Sequence, residues 1–453
     1  MKKVSRFVLV LWLLLASAAA QKQSNAKAAP AAATRLIAVK VKGKTTLTDQ
    51  EITAASGLQL GQPAADGDFR EAAQRLGETG MFKDVAYSFT SSPSGVRLEL
   101  EVDDIDKSKL VPAHFENFVG FTDQELQSSI QRRVPLFKQF VPMAGNLSTR
   151  VSEALQAILV EKQLPGRVSF VREGDESGEH LSGIAYRVDE VDIRIQSVEF
   201  PGASTEMTAL LAVPARHLIG AEYTRTRLSQ TAEFDFLPLY LQRGYLKAAF
   251  QPSQARMPPS TTDASTSEAK TDTTGEAKAP IELQVVAILP VASGTLYSIA
   301  AVEWKGNSVI PTPELSPLIH LAPGQPADGV RLARDLENVA KLYRSRGYMR
   351  VKAKPDPQFD DEKGTVRYQL QVSEGDQYKM GELEITGLDT EARARLQAAW
   401  TLQEGQPFNA DYPEKFREET TKLVPRGDWI LTIHLSPDAK SKTVDVEVHF
   451  KQQ

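Results

Sequence analysis

Cysteine is absent from all 453 residues. That excludes a disulfide framework, a thiolate metal site, a cysteine nucleophile and a lipid-modified N-terminal cysteine. Histidine is scarce: the six, at 114, 180, 217, 320, 434 and 449, never fall within one helical turn of each other. No local zinc or iron motif follows from them. Positive charge is not in excess, since 53 Lys and Arg face 58 Asp and Glu for a formal charge of −5. A nucleic-acid partner held by bulk electrostatics is therefore not expected. The sequence also lacks a Gly-rich phosphate loop, a Gly-x-Ser-x-Gly elbow and a His-Glu-x-x-His helix. The chain reads as non-catalytic, with no cofactor, no metal and no small-molecule substrate. What remains is ordinary for a folded chain, 41% hydrophobic and 25% charged, and long enough for several domains.

The first twenty residues have the form of a secretory signal. Lys2, Lys3 and Arg6 precede an apolar run from Phe7 to Ala16, and Ala18, Ala19 and Ala20 offer small residues for cleavage before Gln21. The run is shorter than the roughly 20 residues that span a bilayer. Removing its three cations takes the formal charge from −5 to −8. Beyond it no stretch is apolar enough to cross a membrane as a helix. Residues 21–33, rich in Ala, Lys and Gln, read as a flexible tether. A second weak stretch, 253–279, has ten Ser or Thr among 27 residues and no aromatic. It reads as a disordered insertion inside a folded module.

Internal repetition is the strongest signal. Gly-Gln-Pro occurs at 61–63, 324–326 and 405–407, each 18 residues after a glycine that closes a strand-like alternation: Gly43, Gly306 and Gly387. The same 18-residue gap joins Gly202 to Gly220. A third marker follows 19 to 24 residues later: Gly80-Met81, Gly244-Tyr245, Gly347-Tyr348 and Gly427-Asp428. Apolar residues spaced by three and four precede it, as in Phe69, Ala72, Ala73, Leu76 and in Leu332, Leu336, Val339, Tyr343. That spacing marks one helical face, and the glycine suits a helix C-terminus. Short strands are expected after it at 85–90, 245–250, 348–353 and 429–435, then alternating strands at 96–102, 281–289, 366–372 and 444–450. A looser copy spans 105–191. It begins with Thr122-Asp123-Gln124-Glu125, which repeats the capping box of Thr48-Asp49-Gln50-Glu51, but its glycine gap is 25 and Glu116 stands where other copies are apolar. Pro238 falls inside the second helix of the third copy and is expected to kink it.

The fold class implied is α+β: five tandem βααββ modules in an elongated array, at 34–104, 105–191, 192–291, 292–374 and 375–453. These markers resemble those of POTRA (polypeptide-transport-associated) domains, and five in line resemble the periplasmic arm of BamA-type barrel-assembly proteins. The resemblance implies a three-stranded mixed sheet covered by two helices. It implies a periplasmic location at the inner face of the outer membrane. Its implied partners are unfolded or extended outer-membrane polypeptides, accessory proteins and a membrane β-barrel. Such a barrel needs at least eight strands of roughly 9–11 residues. Nothing after Phe450 supplies them, so a barrel subunit from another chain is expected.

Binding is expected by β-augmentation, in which an extended polypeptide pairs with the unpaired edge of a sheet. In the family the strand after the second helix is that edge. The candidate residues are Tyr245, Leu246, Lys247 and Ala249 in one module and Tyr348, Met349, Arg350 and Val351 in the next. The marker glycines read as structural. Trp304, Trp400 and Trp429 read as core or inter-module packing, and the acid pairs Asp103/Asp104 and Asp360/Asp361 as turn acids rather than calcium ligands. The competing reading is an envelope scaffold that binds only folded partners.

Overall fold

The computed structural model describes residues 34–175, 181–258, 281–420, 424 and 428–452. The expected signal and tether, positions 259–279 of the expected insertion, and Gly427 lie outside the described residues. Two compact units are present: residues through 111 together with 131–150, and residues 112–130 together with 151 onward. No helix among the described residues is long and apolar enough to cross a membrane.

One strand arrangement recurs. In the first unit, strand Thr34–Lys42 runs parallel to Gly95–Asp104, which pairs antiparallel with Phe82–Ser92. In the second unit the same pattern appears in Ser298–Lys305, Thr365–Ser373 and Lys352–Asp360, and again in Lys379–Thr386, Thr443–Gln452 and Trp429–Asp438. Residues 113–115, 184–186 and 167–174 follow it, as do Val191–Glu199, Ile281–Ile288 and Gln254–Arg256. The expected class, small mixed sheets overlaid by helices, is the observed one.

The central strand of each sheet carries the core. Val96, Leu98, Leu100 and Val102 are buried in one; Val366, Tyr368, Leu370 and Val372 in another; Val444, Val446, Val448 and Phe450 in a third. Alternation of period two puts these side chains on one face, under the helices. Burial of each contributes roughly 1.5–3 kcal/mol. The second helices bring the matching stripe: Phe69, Ala72, Ala73 and Leu76 are buried on Asp66–Gly77, and Leu332, Leu336, Val339 and Tyr343 on Gly329–Ser345. Both capping boxes form, with Thr48 and Thr122 exchanging hydrogen bonds with Glu51 and Glu125.

The 18-residue spacing has a backbone cause. The turn glycine donates to a residue of the first strand, and that residue donates back to the next turn position. The pairs are Gly61 with Leu36, Gly220 with Ile195, Gly324 with Ile299 and Gly405 with Met380, at 2.7–2.8 Å for the glycine N–H. Main chain makes both contacts, which is why Gly220-Ala221-Glu222 serves as well as Gly-Gln-Pro.

Pro238 does not simply kink its helix. Residues Ala232–Phe236 form a π-turn, and the Leu237 N–H reaches back to the Ala232 carbonyl. Proline has no N–H for the carbonyl four residues earlier, and widening one turn to the i→i+5 pattern resets the ladder around it. The expected insertion also starts later than its composition suggests. Ser253 and Ala255 are buried, and Gln254–Arg256 pairs with residues 286–288.

Candidate functional site: the sheet edges

Each sheet has one edge strand with a single paired side, and it is always the strand after the second helix. In a strand, main-chain groups point alternately to either side, so register decides which residues face outward. Space at the strand-end glycines fixes the phase. A methyl on Gly306 would meet the Val372 carbonyl oxygen, so Val372 and its alternates face the first strand. Ser373, Gln371, Gln369, Arg367 and Thr365 therefore face the edge strand, where they oppose Lys352, Lys354, Asp356, Gln358 and Asp360. Ala353, Pro355, Pro357 and Phe359 are left turned outward. Gly43 against the Val102 carbonyl, and Gly387 against that of Phe450, set the phase identically in two other sheets.

The edges differ sharply once read this way. On Phe82–Ser92 the outward residues are Val85, Tyr87, Phe89 and Ser91. The Val85 N–H bonds the Asp84 carboxylate at 3.0 Å, and the other three N–H groups face outward without proline. On Trp429–Asp438 they are Trp429, Leu431, Ile433, Leu435 and Pro437, so proline enters only at the end. On Arg167–Gly174 the Val168 N–H is taken by Gln156 at 2.8 Å, with the Ser152 hydroxyl on the Val168 carbonyl. The strand Gln254–Arg256 is three residues long, and its Ala255 carbonyl accepts from Gly120 at 2.7 Å. On Lys352–Asp360 two of four outward positions are proline, which has no proton to donate.

The residues expected to bind sit elsewhere. Tyr245, Leu246 and Lys247 precede a two-residue strand at Ala249–Phe250, which pairs with Val291–Ala292. Ala249 lies in that short strand. Tyr348, Met349, Arg350 and Val351 precede the strand that begins at Lys352. The strands expected at 245–250 and 348–353 are thus displaced, and the cause is helix termination. Gly347, at φ 90°, donates to Arg344 at 3.2 Å, and Tyr348 donates to Tyr343 at 3.1 Å. Gly244 and Tyr245 do the same with Leu241 and Tyr240. This is the Schellman pattern with its apolar staple. Here the staple is a pair of perpendicular rings, Tyr343 with Tyr348 at 6.0 Å and Tyr240 with Tyr245 at 5.8 Å.

The residues after each tyrosine belong to the junction with the following sheet. Leu246 packs against the core around Tyr297 and Ile299, and Met349 against the core around Tyr378 and Phe408. The Lys247 ammonium lies 4.5 Å from the Phe359 ring centre and bonds Asp361 at 2.7 Å; Tyr297 donates to the same carboxylate at 2.6 Å. The hydrogen bonds from Lys247, then from Tyr297, hold the Asp361 carboxyl below its ordinary value, and Asp361 holds Lys247 above its own. The Arg350 guanidinium lies 5.7 Å from the Tyr378 ring centre. Tyr297 and Tyr378 donate from their backbones to the carbonyls of Gly244 and Gly347, at 2.9 and 2.8 Å. The acid at 361 is thus a junction residue. Asp103 and Asp104 accept backbone N–H bonds from Lys44 and Thr46, each at 2.8 Å.

Glu116, out of phase in the sequence, joins two modules. It accepts from the Thr226 hydroxyl at 2.6 Å, and the Arg225 N–H donates to its carbonyl at 3.0 Å. The Arg225 guanidinium, buried, donates to the Phe115 and Phe121 carbonyls at 3.2 and 2.7 Å and pairs with Asp123. The tryptophans pack as expected: Trp400 is buried against Tyr412 and Phe416, and Trp304 lies against the core of its own sheet.

Residues 297–375 match the family model described as POTRA, surface antigen variable number repeat. This stretch is a POTRA domain. The three POTRA domains numbered 3–5 of BamA from Haemophilus influenzae align at 18% identity over 57% of this chain and 96% of theirs, with a TM-score of 0.43. POTRA domains 1–3 of the periplasmic domain of Omp85 from Anabaena align at 13% identity over 76% and 96%, with a TM-score of 0.17. CdiB from Escherichia coli aligns at 13% identity over 55% of this chain and 36% of its own, with a TM-score of 0.21. The POTRA stretch contains the Gly306, Gly-Gln-Pro and Gly-Tyr markers, all three recurring elsewhere in the chain.

Proposed function

We propose that the chain is an exported, periplasmic, non-catalytic array of POTRA-like modules at 34–104, 105–191, 192–291, 292–374 and 375–453, acting in outer-membrane protein assembly at the inner face of that membrane. It receives extended polypeptides on sheet edges, beside accessory proteins and a membrane β-barrel. The observation that carries this reading is the edge Phe82–Ser92, where Tyr87, Phe89 and Ser91 turn consecutive donors and acceptors outward with no strand opposite. Trp429–Asp438 repeats the arrangement with Leu431, Ile433 and Leu435. Backbone pairing tolerates many sequences. A barrel strand, alternating apolar and polar, can lay its apolar side chains along the helix-covered face and its polar ones along the wet face.

Photo-crosslinking side chains placed at Ser88 and His434, both exposed on the wet face of their edges, test the reading. The probe is a peptide of about 10 residues alternating apolar and polar, the length of a barrel strand. Adducts at both positions, competed by an unfolded barrel polypeptide and not by a folded one, are expected. Adducts only with folded envelope proteins would favour the pure scaffold instead.

A further inference from the structure

The edges that resist strand addition lie between the two that do not, and each is shut by a different device. Gln156 occupies the Val168 N–H, Gly120 occupies the Ala255 carbonyl, and the edge of the POTRA domain carries proline. The third device is the most complete. Pro355 and Pro357 oppose Leu370 and Tyr368 in a ladder that runs from Lys352 to Asp360 without a register shift. Proline facing the neighbouring strand removes a ladder bond, so proline is tolerated where it faces out. The phase set by Gly306 and Val372 puts both prolines outward independently of that rule. Only Ala353 and Phe359 keep an outward N–H, six residues apart, about 20 Å along the strand. One of them, Phe359, lies under the Lys247 ammonium and against Tyr297, with ring centres 4.8 Å apart.

We propose that Pro355 and Pro357 are specificity-determining residues: they close the POTRA domain's own edge to strand addition and confine extended clients to Phe82–Ser92 and Trp429–Asp438. The inference rests on the reading of the edges as client sites. An added strand needs a donor at every second position of its host. Here two successive donors are missing, so a client carbonyl at each is left without a partner. The fold itself loses nothing, because the prolines take no part in the internal ladder. The groove between this edge and helix Gly329–Ser345, lined by Leu332, Leu336, Ala353 and Phe359, stays accessible to side chains while its backbone rim is closed.

The test uses the full chain with a crosslinking side chain at Gln358, the wet-face counterpart of Ser88 and His434, and the same alternating peptide. The double substitution Pro355→Thr, Pro357→Thr restores both donors with a strand-favouring residue. We expect adduct at 358 to rise about tenfold, the factor given by one or two restored hydrogen bonds of ordinary net strength. Adduct at 88 and 434 should stay unchanged. Each single substitution should give an intermediate gain, so the result does not hang on the double variant. No gain at 358, with 88 and 434 still reactive, overturns the proposal and leaves the edge reading standing. Loss of adduct at all three positions in the parent chain overturns the edge reading beneath it.

Discussion

Glu374 shows how single side chains tie a module together. Its carboxylate accepts from the Ser308 hydroxyl at 2.5 Å, the Val309 N–H at 2.8 Å and the Tyr343 hydroxyl at 2.8 Å. Burial opposes its ionisation, but these three donors outweigh burial and hold its pKa below the ordinary value. Burial first, and then the bond to Glu374, push the Tyr343 hydroxyl up, so it stays a donor across the working pH range. A carboxyl with a depressed folded pKa adds stability that is present above its unfolded value, near pH 4.3, and is lost as pH falls through the folded value. The urea midpoint of Glu374→Gln should therefore lie furthest below that of the parent chain near neutrality. The gap should close below about pH 4. A gap independent of pH would show that the carboxylate does not carry the effect.

Among elements, the helix–glycine–tyrosine cap decides where an edge strand starts. The sequence patterns YLKAAF and YMRVKA alternate like strands, and by alternation alone they are strands. The cap geometry takes the tyrosine for its own helix and hands Leu246 or Met349 to the next core. Both segments read Gly-Tyr, then Leu or Met, then Lys or Arg. That four-residue recurrence was a legible sign of a conserved junction device within the chain, and alternation masked it. The strand that follows, KAKPDPQFD, looks like a loop because its prolines are punctuators everywhere except on an outward edge. The glycine spacing, the capping boxes, the central strands and the helical stripes were all legible, because local chemistry and burial pattern agree there. Gly347 tests the cap. A Cβ there would stand 2.4 Å from the Tyr378 carbonyl oxygen, at φ 90°. Gly347→Ala should destabilise its domain by about 2 kcal/mol or more, measured by urea unfolding. Gly324→Ala has the same sign of φ but no atom within 4 Å of the added methyl. It should cost only the conformational part, roughly 1 kcal/mol. Equal losses at the two positions would mean that the close approach at the junction is unimportant.

At the scale of the whole chain, function is a matter of which main-chain groups are left unused. Sequence reasoning found the right class of site, an edge strand after the second helix, and named the wrong two. Register, not composition, decides which N–H groups face out, and register appears only when strand is laid on strand. The strands with outward donors in succession are Phe82–Ser92 and Trp429–Asp438; those between are capped by a side chain, a backbone contact or proline. Amide hydrogen exchange at residue resolution, on the full chain with and without an unfolded barrel polypeptide, addresses this directly. The N–H groups of Tyr87, Phe89, Ser91, Leu431, Ile433 and Leu435 should exchange fast alone and slow markedly with the polypeptide, while Ala353 and Phe359 stay fast. Slowing confined to the helices, or slowing at Ala353 and Phe359 with none at the other six, would contradict the account.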